Sequence, residues 1–147
     1  RKSFPGDRDQ LAPLRLAARE AAERLAPFAD ADIAAYLAYR EARRSPVDAA
    51  KLERCRQRTI EIPLEAARPA LPILDVCGQA RKIVSGAITA DLSTAAILIE
   101  GAVRAIVRCA AENLRAVPDP GASAECTAIG DKAGQMLESV LSDAIEA

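Results

Sequence analysis

From Leu92 to Leu114 the apolar residues return every three or four positions, as Leu92, Ala95, Ile99, Val103, Ile106, Ala110 and Leu114. That is the repeat of one helix face, and nowhere does the chain alternate apolar and polar residues in twos, as a half-buried strand requires. Related spacings run through Leu11, Leu14, Ala18, Ala21, Leu25 and Phe28, through Ile62, Leu64, Ala67, Leu71, Leu74 and Val76, and through Ile129, Ala133, Met136, Val140 and Ile145. Half the residues are hydrophobic but only 3% are aromatic, so Ala supplies much of the apolar surface and helices can approach closely. The pattern predicts an all-α fold: one domain over residues 1–147, an up-and-down bundle of four or five helices, some long and Pro-kinked.

Asp7 to Asp9 can cap the first helix, which Pro27 kinks or divides, and Ser45-Pro46 ends it. Asp48 is placed to cap the second. Pro63, Pro69 and Pro72 then leave either one kinked helix or two short ones ending near Gly78 to Val84. Ser85-Gly86 marks a loop, after which Asp91 is placed as the N-cap of the third helix. Glu100, Arg104, Arg108 and Glu112 step by four as an expected solvated charge ladder. Pro118-Asp119-Pro120-Gly121 reads as a turn, and a last helix is expected from about Ser123.

The sequence has no His, which removes Ser-His-Asp and Cys-His catalysis and argues against a transition-metal site. The four cysteines, Cys55, Cys77, Cys109 and Cys126, form no Cys-x-x-Cys pair and read mostly as buried small hydrophobes. A net charge of −1 offers no general attraction to nucleic acid or an acidic membrane. No apolar run approaches a membrane span and no signal peptide is visible, so the expected location is cytoplasmic. Chemistry is left to carboxylates, Lys, Tyr, Cys, backbone groups or the substrate itself.

Phe28 to Tyr39 holds three of the four aromatic residues. On a helix Phe28, Asp32, Tyr36 and Tyr39 share a face, while Asp30 points about 200° away. A carboxylate within an aromatic stripe, if withdrawn from water, favours its neutral form and suits acid or base work near neutrality. Read on periodicity alone, capping comes first: Asp30 or Asp32 would begin a helix just after Pro27. Asn113, beside the apolar stripe of the third helix, needs a hydrogen-bond partner, with backbone the commoner answer and a ligand the other.

Taken in order, these pieces resemble the cyclodeaminase/cyclohydrolase family of folate enzymes, which includes the cyclodeaminase domain of formimidoyltransferase-cyclodeaminase and the methenyltetrahydrofolate cyclohydrolases. Arg1-Lys2-Ser3-Phe4 is similar to its basic-basic-x-aromatic segment, and Ala29 to Tyr36 to its Asp-x-x-Ala-aromatic segment, with Asp32 at the active-site aspartate. Ile62-Pro63-Leu64 resembles its Val-Pro-Leu motif, Asp91 falls at its Ser-Asp, and Asn113-Leu114 at its Asn-Leu. The chain departs from the pattern at Arg43-Arg44-Ser45-Pro46, at Ala90 and at Cys109, and the family's Gly-rich N-terminal segment would lie upstream of Arg1.

The resemblance implies chemistry on a one-carbon unit bridging two folate nitrogens, with no cofactor beyond the tetrahydrofolate substrate and no metal. It implies Asp32 as general acid and base with Asp91 as a second catalytic carboxylate. Phe28, Asp30, Tyr36 and Asn113 would lie at the substrate, and Arg1 and Lys2 would meet its glutamate tail, which can be polyglutamylated. It also implies a homodimer. The competing expectation is a non-catalytic helical member of the same fold that serves dimerisation or partner binding.

Overall fold

The structure is a computed structural model that describes residues 8–44, 48–116 and 118–142. Among them are four helices and no strand: α1 (Arg8–Arg44), α2 (Ala49–Arg81), α3 (Ala87–Leu114) and α4 (Pro120–Ser142). None is long and apolar enough to cross a membrane. At 1.5 Å per residue, the 37 residues of α1 span about 55 Å.

Short connections between long helices favour antiparallel neighbours, and the contacts agree. Ala35 and Ala38 of α1 lie beside Cys55 and Arg58 of α2, while Leu11 and Leu14 lie beside Val76 and Ala80 at the other end. Asn113 near the end of α3 meets Thr59 near the start of α2. Gly78 of α2 faces Val140 of α4, which therefore runs parallel to α2.

The bundle is not closed. Helices α2, α3 and α4 pack on one another around Ile60, Leu74, Val103, Ala133 and Val140, whereas among the described residues α1 approaches α2 alone. One face of α3 therefore enters the core through Ala96, Val103, Ala110 and Leu114. The adjacent face, with Leu92, Ala95, Ile99 and Ile106, looks across α2 towards α1 over an apolar trough.

Neither Pro27 nor the three α2 prolines ends a helix. Proline removes the hydrogen bond to the carbonyl four residues earlier and crowds it, but an exposed carbonyl can turn to water. Asp48 caps α2 as expected, its side chain accepting from the Lys51 amide at 2.9 Å. Two other boundaries differ from expectation. The α3 N-cap is Gly86, which takes a φ of 65° available to glycine, so Asp91 lies past the first turn. Helix α4 begins at Pro120, with Asp119 Oδ1 accepting from the amides of Gly121 and Ala122. Proline suits a first helical position because its missing N–H has no partner there anyway. Ser45, Pro46, Asp7 and Ile145 lie outside the described residues.

Glu100 is a further correction. It is buried on the core face of α3, between Ala96 and Val103, instead of joining a solvated ladder. The Arg104 guanidinium pairs with it one turn on, which supplies the partner a buried carboxylate needs.

Candidate functional site

Helix α1 rests on α2 along a seam with a seven-residue repeat. Leu14, Ala21, Phe28, Ala35 and Ala42 form one row, and Leu11, Ala18, Leu25, Asp32 and Tyr39 the other. Such a repeat keeps a straight stripe facing its neighbour. Every member is buried or half-buried except Asp32, which is exposed. Asp32 thus occupies a place where packing asks for an apolar side chain, and among the described residues it has no hydrogen-bond or ion-pair partner. Neither it nor Asp30 is a cap, since α1 runs unbroken through both.

Asp32 stands on the wall of a cavity of about 400 Å³ between α1, α2 and α3. Phe28 and Ala29 flank it on α1, Pro63 and Ala66 form the floor on α2, and Ala102, Ile106 and Cys109 face it from α3. Among the described residues Asp32 is the only charged one of the lining, which otherwise is apolar apart from the Cys109 thiol. A larger cavity of about 730 Å³ continues the trough, sharing Ile73 and Ile99 and carrying Arg8 and Arg15 on its wall. Apolar enclosures of this size holding a few polar groups are the usual form of small-molecule sites.

The floor is tied down by an exchange of hydrogen bonds. Pro63 has no N–H, so the carbonyl of Thr59, four residues earlier, loses its helical donor, and Thr59 is buried. Asn113 Nδ2 donates to that carbonyl at 2.8 Å from the adjacent helix. The partner Asn113 needs is therefore backbone, and the group anticipated at the substrate instead clamps α3 to α2 beneath it.

The remaining expected site residues are dispersed. Phe28 is half-buried in the cavity wall, but Tyr36 is 56% exposed, beside Tyr39, Arg40, Arg43 and Arg44 in a separate shallow pocket. The aromatic stripe therefore does not withdraw Asp32 from water. Asp30 is exposed on another face of α1. Asp91 is exposed on α3, 18 residues before Cys109, or about 27 Å along the helix, so one chain does not bring it to Asp32. Arg1 and Lys2 lie outside the described residues.

Two thiols are closed to chemistry. Burial pushes the Cys77 and Cys126 thiols up, the latter helped by the neighbouring Glu125 charge, and so keeps them protonated. Cys109 is exposed, contrary to a general expectation of buried cysteines, and it lines the cavity opposite Asp32. Its signal was present: Cys109 is four residues from Asn113, on the edge of a stripe too wide to be filled by one neighbouring helix.

Comparison with the curated proteins and with the solved structures gave no match. A comparison with family models gave one, described as formiminotransferase-cyclodeaminase, across residues 1–131. That span contains α1, α2, α3, the Asp32 cavity and the Pro63–Asn113 clamp. The chain belongs to the formiminotransferase-cyclodeaminase family.

Proposed function

We propose that this chain is a folate one-carbon enzyme, a formimidoyltetrahydrofolate cyclodeaminase or methenyltetrahydrofolate cyclohydrolase, with Asp32 as its proton-transfer group. The observation that carries the reading is an unpartnered carboxylate at a seam position that packing would fill with an apolar residue, on the wall of an otherwise apolar cavity. Family membership supplies the substrate class.

One carboxylate can carry the proton transfers that the reaction needs. In the cyclodeaminase direction N10 attacks the formimidoyl carbon and forms a tetrahedral centre. Starting from the protonated formimidoyl group, Asp32 takes the N10 proton and returns it to the exocyclic NH2, which leaves as ammonia and gives the methenyl cation. In the cyclohydrolase direction water adds to the methenyl carbon. Asp32 takes a proton from that water and gives it to N5 as the C–N5 bond breaks, and the remaining hydroxyl proton passes to solvent as the formyl C=O forms on N10. Each sequence begins and ends with the same carboxylate, as general acid–base catalysis requires. The apolar floor and Phe28 would hold the pterin face. Substrate seated against Phe28 and Pro63 would also exclude water from Asp32, giving the carboxylate the drier surroundings that α1 alone does not provide.

The test is direct. The protein is mixed with 5,10-methenyltetrahydrofolate and loss of the methenyl chromophore is compared with the spontaneous rate; its appearance is followed from the formimidoyl compound. Acceleration of one names the reaction. Acceleration of neither by folded protein overturns the proposal.

A further inference from the structure

Arg81, in the last turn of α2, is only 8% exposed. Its Nε is closed off from solvent and has no hydrogen-bond partner, and among the described residues no carboxylate pairs with the guanidinium. A buried cation normally has a counter-charge, because desolvation is costly without one. Arg81 follows Leu74 and Cys77 at helical spacing, on the face of α2 that enters the core shared with α3 and α4. Since α2 and α3 are antiparallel, that face sets the last turn of α2 beside the first turn of α3. The connection between them is tight: the amides of Ile83 and Val84 both donate to the Ala80 carbonyl, at 3.0 and 3.2 Å, and α3 begins at Ala87.

The start of α3 is a second positive feature without an answer. The leading amides of a helix have no partner within it and carry the positive end of its dipole. Here no side chain caps them, and the first turn holds no acidic residue. Asp91 lies past that turn and is exposed, while Asp75 on α2 accepts from Gln79. Lys82, exposed in the connection, adds another cation. A Cβ built on Gly86, the N-cap, would meet nothing within 4 Å, so the space beside these groups is open. Two cations and a helix N-terminus therefore converge, and among the described residues nothing negative stands between them. We propose that Arg81, Lys82 and the N-terminus of α3 bind a phosphate-class oxoanion, either free phosphate or the phosphoryl group of a small molecule. The guanidinium offers parallel N–H donors, Lys82 a point charge and the helix its first amides. Two side-chain charges and about half a charge at the helix end suit a dianion better than a single carboxylate. The site stands apart from the Asp32 cavity, about 33 Å along α3 from Cys109.

Thermal melts of the whole chain in rising inorganic phosphate, against chloride at equal ionic strength, read this site without any folate. Phosphate should raise the melting temperature along a saturating curve. Arg81→Met fills similar space without charge, so its phosphate increment should vanish. Its melt in chloride should hold or rise, because an unpaired buried charge has gone. Lys82→Gln, at an exposed position, should raise the half-saturating phosphate concentration roughly two- to fivefold, and it keeps the test open if Arg81→Met does not fold. Repeating the curve with glycerol 3-phosphate separates the two sources: half-saturation at a lower concentration than phosphate assigns the site to a phosphomonoester, at a higher one to free phosphate. A phosphate effect no larger than that of chloride would overturn the proposal. So would an increment unchanged in folded Arg81→Met or in Lys82→Gln, or equal protection by succinate.

Discussion

Replacing Asn113 with Ala removes the donor from a buried carbonyl that Pro63 has already deprived of its helical one. An unsatisfied buried acceptor costs about 1–3 kcal/mol, and urea denaturation should show a loss of that size. In a Pro63→Ala background the residue-63 amide can again donate to Thr59, so the same substitution should cost measurably less. Equal losses in the two backgrounds would separate the residues. The pair also explains why short motifs in two distant parts of the chain belong together, a relation that a linear reading records without its cause. The buried thiols supply a pH dependence. Their folded-state values are raised, so unfolding releases those protons more readily, and the stability they contribute is full below the ordinary thiol value of 9.0 and is lost as pH rises through the folded values. Thermal melts should be level with respect to these groups up to about pH 8 and fall above it. Cys77→Ala and Cys126→Ala together should flatten the alkaline fall.

Among the helices, α1 is the least secured. Its buried residues are three alanines, and among the described residues its only helical neighbour is α2. Local stability follows buried apolar contact, so amide hydrogen exchange should be faster along α1 than through the Ile60 to Leu74 stretch of α2. Equal protection would contradict the open arrangement. The helices themselves were legible because their apolar repeats are long, and the stripe of α3 was read correctly at Val103, Ala110 and Leu114. Two features were not legible and a third was left open, each for a physical reason. Prolines leave open whether a helix kinks or divides, because a carbonyl without its amide can be satisfied by water or by another helix, as at Thr59. Glu100 looks solvated in a four-residue ladder, but the ladder winds around a helix whose core face is broad. Asp32 was visible as an anomaly, whereas its exposure depends on α1 standing away from α3, which no single helical stripe records.

At the scale of the whole molecule, the trough between α1 and α3 exists because four helices do not close into a ring. An open trough costs apolar exposure, and the Asp32 cavity and the outward face of α3 are two parts of that exposed surface. The first is where the proposed folate chemistry would set a flat heterocycle against Phe28 and Pro63. The account places proton transfer at Asp32, and Asp32→Asn tests that claim with two readings on one sample: turnover of the methenyl or formimidoyl folate, and the thermal melt. Asp32 is exposed and unpartnered among the described residues, so the melt should not move. Loss of a general acid–base group should lower turnover by about 10²–10⁴-fold. An unchanged melt with turnover lost is the predicted result; a folded Asp32→Asn protein that keeps wild-type turnover would contradict it.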